Sequence, residues 1–210
     1  MTGLNYNVEV DKEQIKEAVS LFEFVGGNSD EALRVAINKA GPKIKTATSR
    51  AVRDQIRLKA SYVGGRIAFK RATRRVLSGA ISTESRGILL TRFSTDSQIS
   101  GEKVSWIRPP EIPARGIRVK VKPSGSTEVM SREWFYMVLP NSRALAIARR
   151  LPKGQTGPRG GKYDIAYGPS VSQVFGKDTR DKLIPQAADE LTAQLLDAMR
   201  FLLQKKYPKE

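Results

Sequence analysis

The sequence predicts an α+β fold, with long N- and C-terminal helices packed on a small, mostly antiparallel, twisted sheet. Apolar residues recur at helical spacing from Leu33 to Ala51, and again from Leu183 to Leu202. Between these stretches, short runs rich in β-branched and aromatic residues are parted by Gly and Pro clusters, as strands and their turns are. The clearest run, GIRVKVKPSG, sets Ile117, Val119 and Val121 on one side and Arg118, Lys120 and Lys122 on the other.

In chain order, LNYNVEV (Leu4–Val10) reads as a short strand. DKEQIKEAVSLFEFVGG follows as a helix, with Asp11 as its cap, Ile15, Ala18, Val19 and Phe22 on one face, and Gly26-Gly27 as its stop. A second helix opens at Asn28 or Ser29, with Asp30 and Glu31 where the helix dipole favours negative charge. Its stripe is Leu33, Ile37, Ala40, Ile44, Ala47 and Ala51. Gly41-Pro42 interrupts it, because Pro42 has no N–H and crowds the carbonyl of Asn38. The stripe stays in phase, so a kinked helix, or two nearly end to end, is expected as far as about Leu58. Gly64-Gly65 reads as a hinge. Ile67–Val76 is ambiguous between strand and helix, with helix preferred. SGAISTES, RGILLTRFS, Lys103–Arg108, Trp134–Pro140 and ALAIARRLP read as β segments. YDIAYGPSVSQVFG runs from strand through turn into a short helix, and a last helix spans roughly 182–206. These elements divide into an acidic strand-and-helix head, 1–29, and one domain, 30–210, bearing a Pro-rich arm at 109–116 and a Gly-rich loop at 152–162.

The formal net charge of the 210 residues is +16, and it is unevenly spread. Residues 1–31 carry Glu9, Asp11, Glu13, Glu17, Glu23, Asp30 and Glu31 against Lys12 and Lys16 alone, so all but two of the 37 basic residues lie beyond them. Such a body suits a polyanion, nucleic acid first, while the acidic head permits head-to-body contact between copies. The candidate residues facing DNA or a partner are Lys43, Lys45, Arg50, Arg53, Arg57, Arg66, Lys70, Arg71, Arg74 and Arg75. On a helix they are spread around the circumference, which fits sequence-blind electrostatics better than base reading. The same charges also fit an ordinary solvated face.

Neither cysteine nor histidine occurs. Disulfides, Cys/His zinc sites, cysteine nucleophiles and histidine triads are thereby excluded. No catalytic, cofactor-binding or metal-ligating set is expected. Glu102, Glu111, Glu128, Glu133, Asp164 and Asp178 are scattered, with no spacing that pairs an acid with a base. GQTGPRGGKY fails as a phosphate loop: Thr156 and Tyr163 stand where Gly and Ser or Thr are needed, and a strand follows instead of a helix. Trp106, Trp134, Phe135 and Tyr136 sit in apolar strands and read as core, which leaves Tyr62 and Phe69 as the aromatics able to stack on bases. The opening MTGLNYNVEVDKEQ is polar, without the apolar stretch of a secretory leader, and no run is long enough to span a bilayer. A chain made in the cytoplasm, or assembled there into something larger, is expected.

The order of segments carries a resemblance. EALRVAINKAGPKIKTATSRAVRDQI, RIAFKRATRR, RGILLTRF, GIRVKVKPSG, WFYMVLPNSRALAIARR and YDIAYGPSVSQVF together resemble the phage minor tail protein Z family, the tail-completion proteins of long-tailed phages and prophages. The shared features are a small-residue helix, an aromatic Phe135–Met137 segment, an arginine-rich turn from Arg143 to Arg150, and Gly168-Pro169-Ser170-Val171 leading to Phe175. The resemblance covers roughly 30–206, and departs at Gly41-Pro42 and at the GQTGPRGG insertion. It implies a structural, non-enzymatic virion protein of the neck, without cofactor or membrane. It also implies a homo-oligomeric ring, hexameric or alternatively dodecameric, meeting the connector, tail terminator, tail tube and packaged DNA. A cellular, sequence-nonspecific nucleic-acid-binding protein is the alternative. Within the GPS element, Gly168 is expected to allow a turn, Pro169 to fix it and Ser170 to cap a short helix.

Overall fold

The computed structural model of the protein describes residues 5–7, 29–95, 114–157 and 161–206. The predicted helix after Asp11, the strand at Lys103–Arg108 and most of the Pro-rich arm lie outside these residues. The chain is an α+β mixture of helices and small antiparallel sheets. It groups into two compact units, passing between them after Val52, Lys59, Ser85 and Ser170.

The first unit is built on two long helices and a three-stranded sheet. Helix α1 spans Ser29–Gln55, with Asp30 and Glu31 in its first turn. The sheet takes β1 (Asn5–Asn7), β2 (Ile67–Lys70) and β3 (Ala80–Thr83) in the order β1-β3-β2, all antiparallel. A short helix, α2 (Ala60–Gly65), precedes β2. The expected helix over 67–76 is therefore a strand and a loop. Ile67 and Phe69 alternate inward with the more exposed Ala68 and Lys70, a period of two that a helix cannot use.

Pro42 lies inside α1 without ending it. The buried face of this helix also differs from the predicted stripe. Ala32, Ala36, Ala40, Gly41, Thr48, Ser49 and Val52 are buried, whereas Leu33, Ile37, Ile44, Ala47 and Ala51 are half-buried. The reason is close approach. Ala32 packs with Ala198 and Met199, and Ala36 and Ala40 pack with Leu191, with Ile37 and Ile44 flanking that contact. Residues four apart form the ridge by which helices most often pack, and the separation depends on the side chains at the contact, so alanines there let the two helices approach closely. Gly41 faces a different neighbour: the Phe69 ring stands where its Cβ would be, with Cζ only 2.0 Å from that point. The same ring backs Gly79.

Two further helices, α3 (Val171–Val174) and α4 (Lys177–Lys206), complete this unit. Helix α4 begins earlier than expected and runs through Pro185. Its predicted stripe holds at Ala187, Leu191, Ala198 and Met199, and of the two residues able to open it Leu183 is half-buried while Ile184 is exposed.

The second unit comprises 53–59 and 86–170. Strands β4 (Ile88–Leu89) and β10 (Tyr167–Gly168) pair antiparallel, as do β5 (Arg118–Val119) and β6 (Glu128–Val129). The largest sheet is β7 (Phe135–Val138), β8 (Leu145–Arg150) and β9 (Tyr163–Ile165), with β8 central and all neighbours antiparallel. Ile117, Val119, Tyr136, Leu145, Ile147 and Ala166 form the core. A 3-10 turn at Leu90–Phe93 buries Thr91, whose hydroxyl donates to the Leu145 carbonyl at 2.8 Å. The single small sheet expected is thus several separate ones.

GIRVKVKPSG alternates as read at Ile117, Arg118 and Val119, but its strand is short. Its backbone is drawn off to other partners: Lys120 N–H donates to the Phe93 carbonyl, and Arg57 N–H donates to that of Val121. Gly168 is not the turn residue expected. It is a strand residue paired with Ile88, and glycine is required because the Phe93 ring comes within 2.6 Å of the Cβ position. Pro169 is half-buried, and Ser170 is buried just before α3.

Candidate polyanion-binding surface

The loop of residues 71–79, joining β2 to β3, carries the densest run of cations in the first unit. Lys70 pairs with Ala80 across the hairpin, and Arg71, Arg74 and Arg75 follow in the loop. All four side chains are exposed, and none makes an ion pair among the described residues.

The backbone beneath them is anchored. Asn38 of α1 makes a reciprocal pair with Ala72, its Nδ2 donating to the Ala72 carbonyl and its Oδ1 accepting from the Ala72 N–H, each at 3.0 Å. Ala72 itself is buried. Next along the loop, Thr73 N–H donates to the Val76 carbonyl at 2.9 Å, and Val76 N–H donates to the Thr73 hydroxyl at 3.1 Å. These two bonds close a turn whose central residues are Arg74 and Arg75. Below the loop the hairpin is locked again, by a Glu84 N–H bond to the Arg66 carbonyl and by an ion pair between the same two side chains. Asn38 was not among the candidate residues. Its signal in the sequence is slight, since Asn38 is one of several poor helix formers in α1, beside Gly41, Pro42, Thr46, Thr48 and Ser49.

The other predicted cations have different surroundings. Lys43 pairs with Glu190 of α4 at 2.6 Å. Arg66 lies over the Tyr62 ring at 4.8 Å besides pairing with Glu84. Lys45 is half-buried, and Arg50 is exposed on α1. Arg53 and Arg57 belong to the second unit, where Arg53 is half-buried and the Arg57 guanidinium donates to the Ser94 carbonyl at 3.3 Å. The ten residues therefore have different surroundings. The structure gathers Lys70, Arg71, Arg74 and Arg75, and engages Lys43, Arg57 and Arg66 with neighbouring groups.

The field of the loop reaches α1. The Glu31 carboxyl is held below its ordinary range, first by hydrogen bonding from Arg34, including a 2.9 Å bond from Nε to Oε2, and further by the charges of Arg34, Arg74 and Lys205. Glu31 reciprocally raises the Arg34 guanidinium.

The two aromatics open to base stacking have other neighbours. Phe69 is wedged against Gly41 and Gly79, and Tyr62 lies beneath Arg66. In the second unit Arg149 covers the Trp134 ring at 5.1 Å and pairs with Asp164 at 3.0 Å. Among the described residues no three carboxylates gather as a metal ion would require, and no helix is long and apolar enough to cross a membrane. The loop of 152–162 leads from β8 into β9 and is tied by a Gly157 N–H bond to the Gly161 carbonyl at 2.8 Å. Compared with models of protein families, with curated proteins and with solved structures, the chain has no match in any of the three.

Proposed function

We propose that the chain is a structural virion protein of the phage neck, at the head-proximal end of the tail. There it completes the tail and helps form the head–tail joint around the DNA channel. The observation that carries this reading is the ordered set of segments, from the small-residue helix EALRVAINKA through Phe135–Met137 and Arg143–Arg150 to GPSV and the C-terminal helix. In this role the chain works by assembly, without catalysis or cofactor. Its copies close a ring, hexameric or dodecameric, since head–tail joints need repeated head-to-tail contacts that close on themselves. Connector, tail terminator and tail tube are its protein neighbours. It is made in the host cytoplasm and carried in the particle.

The test is cryo-electron microscopy of particles from a genome that carries this gene, beside a deletion of it. The expected result is density for the chain at the head–tail joint, and tails that fail to join heads in the deletion. Normal numbers of infectious particles without the gene would overturn the proposal. Sedimentation of the purified chain should show rings, or assembly that depends on added neck proteins.

A second reading, a cellular protein that binds nucleic acid without sequence preference, is favoured by the exposed cations at 70–75. Portal, connector and tail-tube genes beside this one distinguish the first reading from the second.

A further inference from the structure

We infer that the β2–β3 hairpin tip, Lys70, Arg71, Arg74 and Arg75 on the backbone pinned by Asn38, is a sequence-blind binding element for the phosphate backbone of duplex DNA. The inference deepens the reading above by naming the element that meets the DNA.

The tip is placed in advance of its ligand. The Asn38–Ala72 pair fixes the loop behind Arg71, and the Thr73–Val76 turn holds Arg74 and Arg75 as its two central residues. Ordering a loop on binding costs affinity, and a loop already ordered avoids that cost. Three of the four cations are arginines, whose planar fork takes two phosphate oxygens at once.

Duplex DNA fits the tip better than the other polyanions. A protein partner would want an apolar centre to its interface, with charge kept toward the rim. The tip offers one exposed apolar side chain, Val76, among its cations. Single-stranded nucleic acid would want aromatic faces. The nearest aromatic in sequence, Phe69, is packed against Gly41 and Gly79. Backbone phosphates need neither an apolar centre nor a stacking face.

The experiment measures binding of the full-length chain to two labelled duplexes of unrelated sequence across a salt series. It compares the parent with Arg71→Gln/Arg74→Gln/Arg75→Gln, the corresponding triple Lys variant and Lys39→Gln/Arg50→Gln. Each phosphate contact contributes roughly 0.9 to the slope of log affinity against log salt. The triple Gln variant should therefore lose roughly 2.7 from that slope, on both duplexes alike. The triple Lys variant should keep the slope, and Lys39→Gln/Arg50→Gln should change it by less than the tip does. Unchanged melting curves separate this loss from unfolding.

Equal losses from the helix pair and the tip would overturn the inference, because the charge would then act without a site. So would an unchanged slope in the triple Gln variant accompanied by lost binding to polyglutamate, which marks an acidic protein as the partner. Tighter binding to a single strand than to the duplex would also overturn it. Failure here leaves the neck location standing, since imaging tests that separately, and absence from the neck leaves the duplex measurement intact.

Discussion

Helix α1 and the β2–β3 hairpin tip are both rich in cations, yet their basic residues have different fates. Along α1, Lys43 is paired with Glu190, Lys45 is half-buried, and the remaining exposed cations lie on a helix whose register is set by Ala32, Ala36, Ala40 and Gly41. At the tip, Lys70, Arg71, Arg74 and Arg75 are all exposed, above a backbone held by Asn38 and Thr73. Charge density in a sequence therefore does not show which charges are engaged. That depends on which of them packing brings to a partner.

That contrast requires α1 to be a packing element first, and the largest expected effect tests this. Ala36 is fully buried where α1 meets α4, so Ala36→Asp places an unpaired carboxylate in the contact, at a cost of several kcal/mol, about what a marginal domain can lose before unfolding. Loss of the cooperative melting transition is expected. Parental melting would show that the Ala32-Ala36-Ala40 face is not the contact.

Gly41→Ala tests the other side of the same helix. Alanine favours a helix by about 1 kcal/mol over glycine, but its Cβ would fall within the Phe69 ring, and overpacking costs about 1–3 kcal/mol. We expect net destabilisation. Gly64→Ala, which meets nothing within 4 Å, should be neutral or stabilising by about 0.5–1 kcal/mol. Thermal melting of the two variants side by side decides the point, and equal shifts would mean that the Phe69 ring yields freely.

Asn38→Ala links the two regions. It leaves the buried N–H and carbonyl of Ala72 without their partner and should cost about 1–3 kcal/mol. The change should also speed hydrogen exchange at Ala72 before exchange in the rest of the hairpin. Unaltered exchange there would mean that the tip holds its shape without the clamp.

The surface charges come next. Lys43→Gln removes an exposed ion pair and should move stability by no more than about 1 kcal/mol. The tip triple Gln variant should change stability by less than about 0.5 kcal/mol, while carrying the effect on DNA.

The smallest effect is on Glu31. Its pKa is lowered in the folded chain, so its contribution to stability is present above the ordinary value of 4.5 and is lost as pH falls through the lowered one. Arg34→Gln removes the largest cause and should raise the Glu31 pKa most; Arg74→Gln should raise it less, and Arg50→Gln not at all. A side-chain NMR titration of Glu31 follows all three. An equal response to Arg74 and Arg50 would mean that the tip charge has no particular reach to Glu31.

What the sequence by itself determined is local. Helical periodicity marked both long helices, alternation marked Ile117-Arg118-Val119, and apolar runs marked the strands at 135–138 and 145–150. These patterns reflect backbone geometry over a few residues. Only the tertiary structure decided which face of α1 is buried most deeply, because two different neighbours compete for it, and small side chains win wherever another helix or a ring comes close. It likewise decided that residues 67–70 are a strand, through pairing with Ala80–Thr83. It made Gly168 a seat for Phe93 where a turn was expected. And it separated the cations at 70–75 from those along α1, since Glu190 comes to Lys43 and Asn38 to Ala72 across spans of 147 and 34 residues. Contacts between residues so distant in the chain leave no periodic trace in it, and it is these contacts that settle which charges are paired.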